Sequence, residues 1–287
     1  MTVSRRKFIQ QSLTAVVGTS AVLKSGYASS CASAGGGEAK LNAVGLQLYT
    51  VREEMQKSVE ATLARVAQIG YKEVEFAGFF GRSAQQIADA LRANGLTSPA
   101  SHVQYDPATW DRTLADAKTI GNEYVVNPWI PEQLRTDDGI KHVAEMMNTA
   151  AVSANAAGLK LAYHNHDFEF KPMASGKLIY DYLLENTDPQ KVLMEMDLYW
   201  INHGGADPLA YWRKYPGRFP LVHVKDMKAD RSMADVGSGT LPWAKYFHER
   251  ALAGVKHFFV ERDDAASTGD AFQAIANSYN YLKNLEF

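Results

Sequence analysis

With 287 residues, 46% of them hydrophobic and 22% charged, the chain can bury a large core and has the balance of a folded globular protein. Its formal net charge of -2 gives no electrostatic reason to expect nucleic acid as a partner, since a phosphate backbone is normally met by a concentrated basic surface. The single cysteine, Cys31, excludes an intramolecular disulfide and a cysteine-built zinc site, so any metal has to be held by His and carboxylates.

Residues 1–40 read as an export signal with a flexible linker, and 41–287 as one catalytic domain. Ser4-Arg5-Arg6-Lys7-Phe8-Ile9 precedes an apolar, small-residue segment from Leu13 to Leu23, the basic and hydrophobic regions of a signal. The twin arginine followed by Phe8 resembles a Tat signal, which implies a folded, periplasmic product. The apolar segment is shorter than the roughly 20 residues of a membrane span, so no stable insertion is expected after cleavage. Lipid anchoring through Cys31 ranks second, because Ala28-Ser29-Ser30 before it matches a lipobox poorly.

From Leu41 onward, strand-like and helix-like runs alternate at a nearly regular interval. The spacing predicts strand one over Val44 to Tyr49 and a helix from about Glu53 to Ile69, ended by Gly70. Strand two is Glu73 to Ala77, and Ser83 caps a helix that stops at Asn94-Gly95. Strands three and four are Thr97 to Val103 and Tyr124 to Trp129, with no helix assigned between them. A long helix from Asp137 to Ala157 precedes strand five, whose end carries Tyr163-His164-Asn165-His166. Helices over Leu178 to Glu185 and Pro208 to Tyr215 flank strand six, Val192 to Tyr199. Strand seven is Phe219 to Lys225, a helix lies between Pro242 and Ala253, strand eight is His257 to Glu261, and Asp270 to Leu285 ends the chain as a helix. Eight parallel strands with intervening helices close most simply into a single (β/α)8 TIM barrel, with its site at the strand C-termini. An open doubly wound sheet is the rival, and Tyr49-Thr50-Val51-Arg52-Glu53 lacks the glycine-rich loop that it uses.

Asp197, His223 and Glu261 sit at such strand ends. Buried carboxylates in apolar strands are costly to leave unpaired, and one imidazole among carboxylates suits a single Mn, Mg, Co or Zn ion. Further candidates for the mouth are Glu75, His102, Asn127 and Trp129, which fall near the ends of strands two to four, with Trp200 and His203 after strand six. Polar groups there would read sugar hydroxyls, and a tryptophan would stack on a sugar ring or simply pack. Lys225 shares a face with His223, so it either polarises a carbonyl or pairs with Asp226 or Glu261.

Tyr163-His164-Asn165-His166, Met196-Asp197, Val222-His223-Val224-Lys225-Asp226 and Val260-Glu261 resemble the sugar phosphate isomerase/epimerase family, the xylose isomerase-like TIM barrels. The resemblance covers everything after the leader, and His223-x-Lys225-Asp226 is its most specific piece. It implies one divalent ion held by four ligands from strands five to eight, with Asp197, His223 and Glu261 as the last three, and proton transfer beside a carbonyl through an enediolate. Ketose epimerases of the group carry glutamate at the end of strand five, where this chain has His164, then His166, then Glu169. Glu169 is favoured as the fourth ligand because it keeps the site rich in carboxylate, with His164 or His166 as the alternative. Glu261 or a strand-five histidine would remove the proton, and a histidine in that place, as a one-sided acid or base, would favour elimination over epimerisation. The implied partner is a small carbohydrate, with a free sugar or 3-keto-glycoside fitting an exported protein better than a sugar phosphate. A homo-oligomer is compatible with this reading, and a non-catalytic sugar binder is its main rival.

Overall fold

The structure, a computed structural model, describes residues 40–41 and 43–287; the export segment and Cys31 lie outside the described residues. In chain order the strands are β1 (Gly45–Gln47), β2 (Glu73–Phe76), β3 (Thr97–His102), β4 (Tyr124–Asn127), β5 (Lys160–His164), β6 (Val192–Asp197) and β7 (Leu221–Val224). Two short strands follow, β8 (Asp226–Met227) and β9 (Met233–Ala234), before β10 (His257–Val260). Eight of them close a parallel barrel in the order β1-β10-β7-β6-β5-β4-β3-β2, while β8 and β9 form a separate antiparallel pair. The expected TIM barrel is the fold.

The helices are α1 (Arg52–Lys57), α2 (Val59–Ile69), α3 (Ala84–Ala93), α4 (Trp110–Ile120), α5 (Asp137–Ala156), α6 (Ile179–Asn186), α7 (Leu198–His203), α8 (Pro208–Lys214), α9 (Trp243–Ala253) and α10 (Ala271–Asn284). Three depart from the sequence expectation. The first predicted helix is two, because Ser58 leaves helical geometry and caps α2 by accepting from the amide of Ala61. An unassigned helix, α4, buries Trp110, Leu114, Ala117 and Ile120 between β3 and β4. Strand six stops at Asp197, whose side chain accepts from the amide of Trp200 and starts α7 at once. The Ser83 cap of α3 is present as a full capping box with Gln86.

Strand alternation sorts the barrel into two environments. Outward residues such as Val125, Tyr163, Met194 and Val222 join the main core beneath the helices. Inward residues Ala100, Tyr124, Val126, Ala162, Leu221 and Phe259 form a small apolar plug within the barrel. Gly45 makes room for it, since a Cβ there would lie 2.5 Å from the Phe259 ring. Towards the C-terminal ends of the strands the inward side chains turn ionisable, and this layer forms the site.

Candidate metal centre and its mouth

Inward alternation on β6 places Glu195 and Asp197 on one face, and neighbouring strands bring His164 level with Glu195 and His223 level with Asp197. The result is a buried group of His164, Asp197, His223 and Glu261, one ligand atom from each lying within 4.8 Å of the others. Asp197 both caps and faces the group: Oδ1 holds the start of α7, while buried Oδ2 is paired with Lys225 Nζ at 2.9 Å and lies 3.9 Å from His164 Nε2 and from His223 Nδ1. His223 Nδ1 is 2.8 Å from Glu261 Oε2.

A deeper carboxylate layer holds the opposite nitrogens of the same imidazoles. His164 Nδ1 is 3.0 Å from Glu195 Oε2, and His223 Nε2 is 2.7 Å from Glu75 Oε2 and 3.2 Å from Glu195 Oε2. His102 Nε2 is 2.7 Å from Glu195 Oε2 and 3.3 Å from Glu75 Oε2, and its ring stacks on His223. Metal-binding histidines commonly donate their second ring nitrogen to a carboxylate, which fixes the tautomer and strengthens the ligand. The donor set of the upper group therefore fits a divalent ion, with His164 Nε2 and His223 Nδ1 turned towards it. A second combination, His102, His164, Glu195 and His223, also has metal-type spacing. In it all three imidazoles already crowd one oxygen of Glu195, whereas in the upper group only His223 and Glu261 are paired so closely, which makes the upper group the better site.

The electrostatics follow from burial and pairing. Burial, reinforced by the charge of His223, lowers His164 to about 4, so it stands as a neutral ligand. Burial opposes charge on His223, but Glu195 and Glu261 outweigh it and hold the ring protonated well above the usual histidine range. Burial pushes Glu75 up to about 7, helped by the charge of Glu195. Burial works against ionisation of Glu195 as well, yet His223 and His102 keep it far below the ordinary carboxylate value. Lys225 is likewise held charged against burial by Asp197, Asp263 and Glu261. Its Nζ lies 2.9 Å from Asp197 Oδ2, 2.8 Å from Glu261 Oε2 and 3.0 Å from Asp263 Oδ1.

The cavity above this layer has a volume of about 470 Å³ and is lined by His102, Trp129, His164, His166, Lys225 and Glu261, among others. His166 Nδ1 is buried without a hydrogen-bond partner, and its ring meets Trp129 edge-on at 4.7 Å and Trp200 at 5.7 Å. Trp200 Nε1 is also unpartnered, and Lys225 Nζ lies 5.6 Å from its ring centre. Asn127 is buried, donating weakly to the Trp129 carbonyl at 3.4 Å and leaving Oδ1 free.

Two expectations need correction. Glu169 does not reach the candidate ligands: one oxygen accepts from the Tyr163 hydroxyl and the other from the amide of His166 at 2.9 Å. Tyr163 points outward from β5, so a short turn carries Glu169 behind the strand instead of over the mouth, and His164 takes the strand-five place. His203 does not line the cavity; it stacks on Tyr199 and lies 3.4 Å from the Asp167 carboxylate. Of the two pairings expected of Lys225, the structure forms the one with Glu261, while Asp226 faces the opposite way and accepts from the amides of the following loop. Glu195 was missed, although its place two residues before Asp197 put it on the same strand face.

A His and carboxylate group at the C-terminal mouth of a parallel barrel is the arrangement of a metal-dependent barrel enzyme. The chain belongs to the xylose isomerase-like TIM barrel family, whose profile matches residues 63–284. It is 24% identical over 196 residues to the inosose dehydratase of Geobacillus kaustophilus (strain HTA426), a match covering 60% of this chain and 63% of that protein. It is similar to a sugar phosphate isomerase/epimerase from Parabacteroides distasonis ATCC 8503, with 28% identity, a TM-score of 0.74, and coverage of 84% of this chain and 98% of that one. The IOLI protein, solved with a binding zinc atom, shares the fold at 15% identity and a TM-score of 0.64, with coverage of 83% and 95%.

Proposed function

We propose that the protein is a divalent-metal-dependent sugar isomerase or epimerase that abstracts a proton next to a carbonyl. The observation that carries this reading is the convergence of His164, Asp197, His223 and Glu261 beneath an accessible cavity. These four residues would hold the ion, which when bound polarises a carbonyl and acidifies the adjacent carbon. His166 offers Nδ1, free of any protein partner, to receive the proton. Glu261 is engaged by Lys225 and His223, which suits a ligand better than a base. Proton return to the opposite face epimerises, and return to the neighbouring carbon isomerises. His102, bonded to Glu195 on the β3 side of the cavity, is the proton donor.

A second reading follows from the imidazole at the strand-five position: loss of a β-substituent, as in elimination from a 3-keto-glycoside. The inosose dehydratase relative supports this branch, since dehydration also begins with proton removal beside a carbonyl. In either branch the substrate is a neutral carbohydrate. Among the described residues no arginine lines the cavity, and its lysine is tied to three carboxylates, so apart from the ion the lining offers a phosphate no free lysine or arginine. A twin-arginine leader would place the reaction in the periplasm.

The test is isotope exchange in D2O with metal-loaded protein. Deuterium should enter the carbon beside the carbonyl of an accepted keto-sugar, and His166→Asn should stop it. No exchange into any keto-sugar, together with no aglycone release from 3-keto-glycosides, would sink both branches. Sugar binding without bound metal, unaltered by Asp197→Ala, would identify a non-catalytic binder.

A further inference from the structure

Among the described residues three of the Phe, Tyr and Trp side chains stay exposed, Tyr49, Trp129 and Tyr281, and the first two line the same cavity. Each is 43% exposed. Tyr49 follows β1 and Trp129 follows β4, three steps apart around the eight-strand ring. The two rings therefore stand on well-separated parts of the rim, with the ionisable layer below.

Both rings are held in place. The Arg52 guanidinium lies 4.2 Å from the centre of the Tyr49 ring, and its Nη1 donates to the Tyr49 carbonyl at 2.9 Å. The Arg135 guanidinium lies 4.4 Å from the centre of the Trp129 ring, its Nε donates to the Ile130 carbonyl at 3.0 Å, and Phe168 meets Trp129 edge-on at 5.2 Å. An arginine stacked on one face of an aromatic ring and anchored to nearby backbone fixes that ring before any ligand arrives. Ordering costs on binding are then reduced, which is what a recognition surface requires and a stray exposed ring does not. The cavity volume of about 470 Å³ is in the range of sites that enclose ligands larger than a small polyol.

We infer that the mouth takes a two-ring ligand: a carbohydrate ring over the His and carboxylate layer, and a second flat-faced ring resting on the aromatic rim at Trp129, with Tyr49 bounding the mouth from the other side. The second ring is either another sugar or an aromatic aglycone, since both present a flat C–H or π face to an aromatic side chain. This rests on the proposed function only for which ring reacts; the preference for two rings is a binding property that stands without turnover.

The test measures dissociation constants by isothermal titration and tryptophan fluorescence on the protein as purified, with methyl β-glucoside, phenyl β-glucoside and cellobiose. The two-ring ligands should bind roughly tenfold tighter than the one-ring ligand. In Trp129→Ala that ratio should shrink towards one, and Trp129→Phe, which keeps a ring, should restore most of it. Tyr49→Ala should shrink it less. A gain for phenyl β-glucoside alone assigns the rim to an aryl group, and a gain for cellobiose alone assigns it to a sugar. Equal affinity for all three ligands, or a ratio unmoved by Trp129→Ala in protein with wild-type circular dichroism, overturns the inference. Loss of isotope exchange with the ratio intact would instead fault the catalytic reading and leave the rim standing.

Discussion

The buried carboxylate of Asp226 accepts the indole N–H of Trp243 at 3.0 Å and four backbone amides besides, those of Met227, Gly237, Gly239 and Leu241. One side chain thus pins the loop that leaves β7, and Gly239 is required there because a Cβ would lie 2.2 Å from Asp226 Oδ1. Asp226→Asn replaces an acceptor oxygen with a donor facing other donors. It should lower unfolding stability by about 2–3 kcal/mol in a denaturant titration, since buried unsatisfied groups carry their full desolvation cost. None of the candidate ligands is touched, so the variant should still bind a divalent ion stoichiometrically.

Second, Glu195 and Glu169 should separate cleanly by metal affinity. Glu195→Gln weakens the acceptor behind His164 and His223, and a titration with Zn should show a loss of about 10- to 100-fold. His164→Ala should lose more. Glu169→Gln should bind the ion as the wild type does, because its carboxylate faces Tyr163 and the His166 amide.

Third, Glu169 should leave a signature in stability against pH. Burial pushes its carboxyl up to about 8 from an ordinary 4.5, against the hydrogen bond from Tyr163. Between those values the folded chain holds a proton that the unfolded chain has released, so folding is favoured by the proton. This contribution is fully present below pH 4.5 and is lost as the pH rises through 8. Melting temperature measured across that window with chelator present should fall less steeply in Glu169→Gln than in the wild type.

A fourth expectation concerns the barrel interior. Gly45→Ala drives a methyl group into the Phe259 ring and should cost about 1–3 kcal/mol of stability, read as a lower denaturation midpoint.

How far the site could be read from sequence depended on whether a residue's position followed from local pattern. Asp197, His223 and Lys225 lie where strand alternation and strand ends put them. Glu195 obeys the same alternation and was visible in principle. The apolar spacing of Trp110, Leu114 and Ala117 likewise marked α4. Glu169 was different: it follows a strand end closely, but a turn and a buried tyrosine hydroxyl decide which side of β5 it occupies. The Asp226 cluster was beyond sequence reading, because its donors come from positions 1 to 17 residues downstream and meet only once the loop has folded back.

The pairing of β1 with β10 has a consequence for how the protein comes into being. The first strand of the barrel finds one of its two neighbours only when the last has been made, and Glu261 directly follows that last strand. A ribosome-bound chain that ends before His257 has an open edge on β1 and lacks one of the four candidate ligands. Ring closure and completion of the ligand set therefore coincide, and contacts so distant in sequence form slowly. Until then the chain has His164, Asp197 and His223 but no finished cradle, so full affinity for an ion is expected only of the completed barrel.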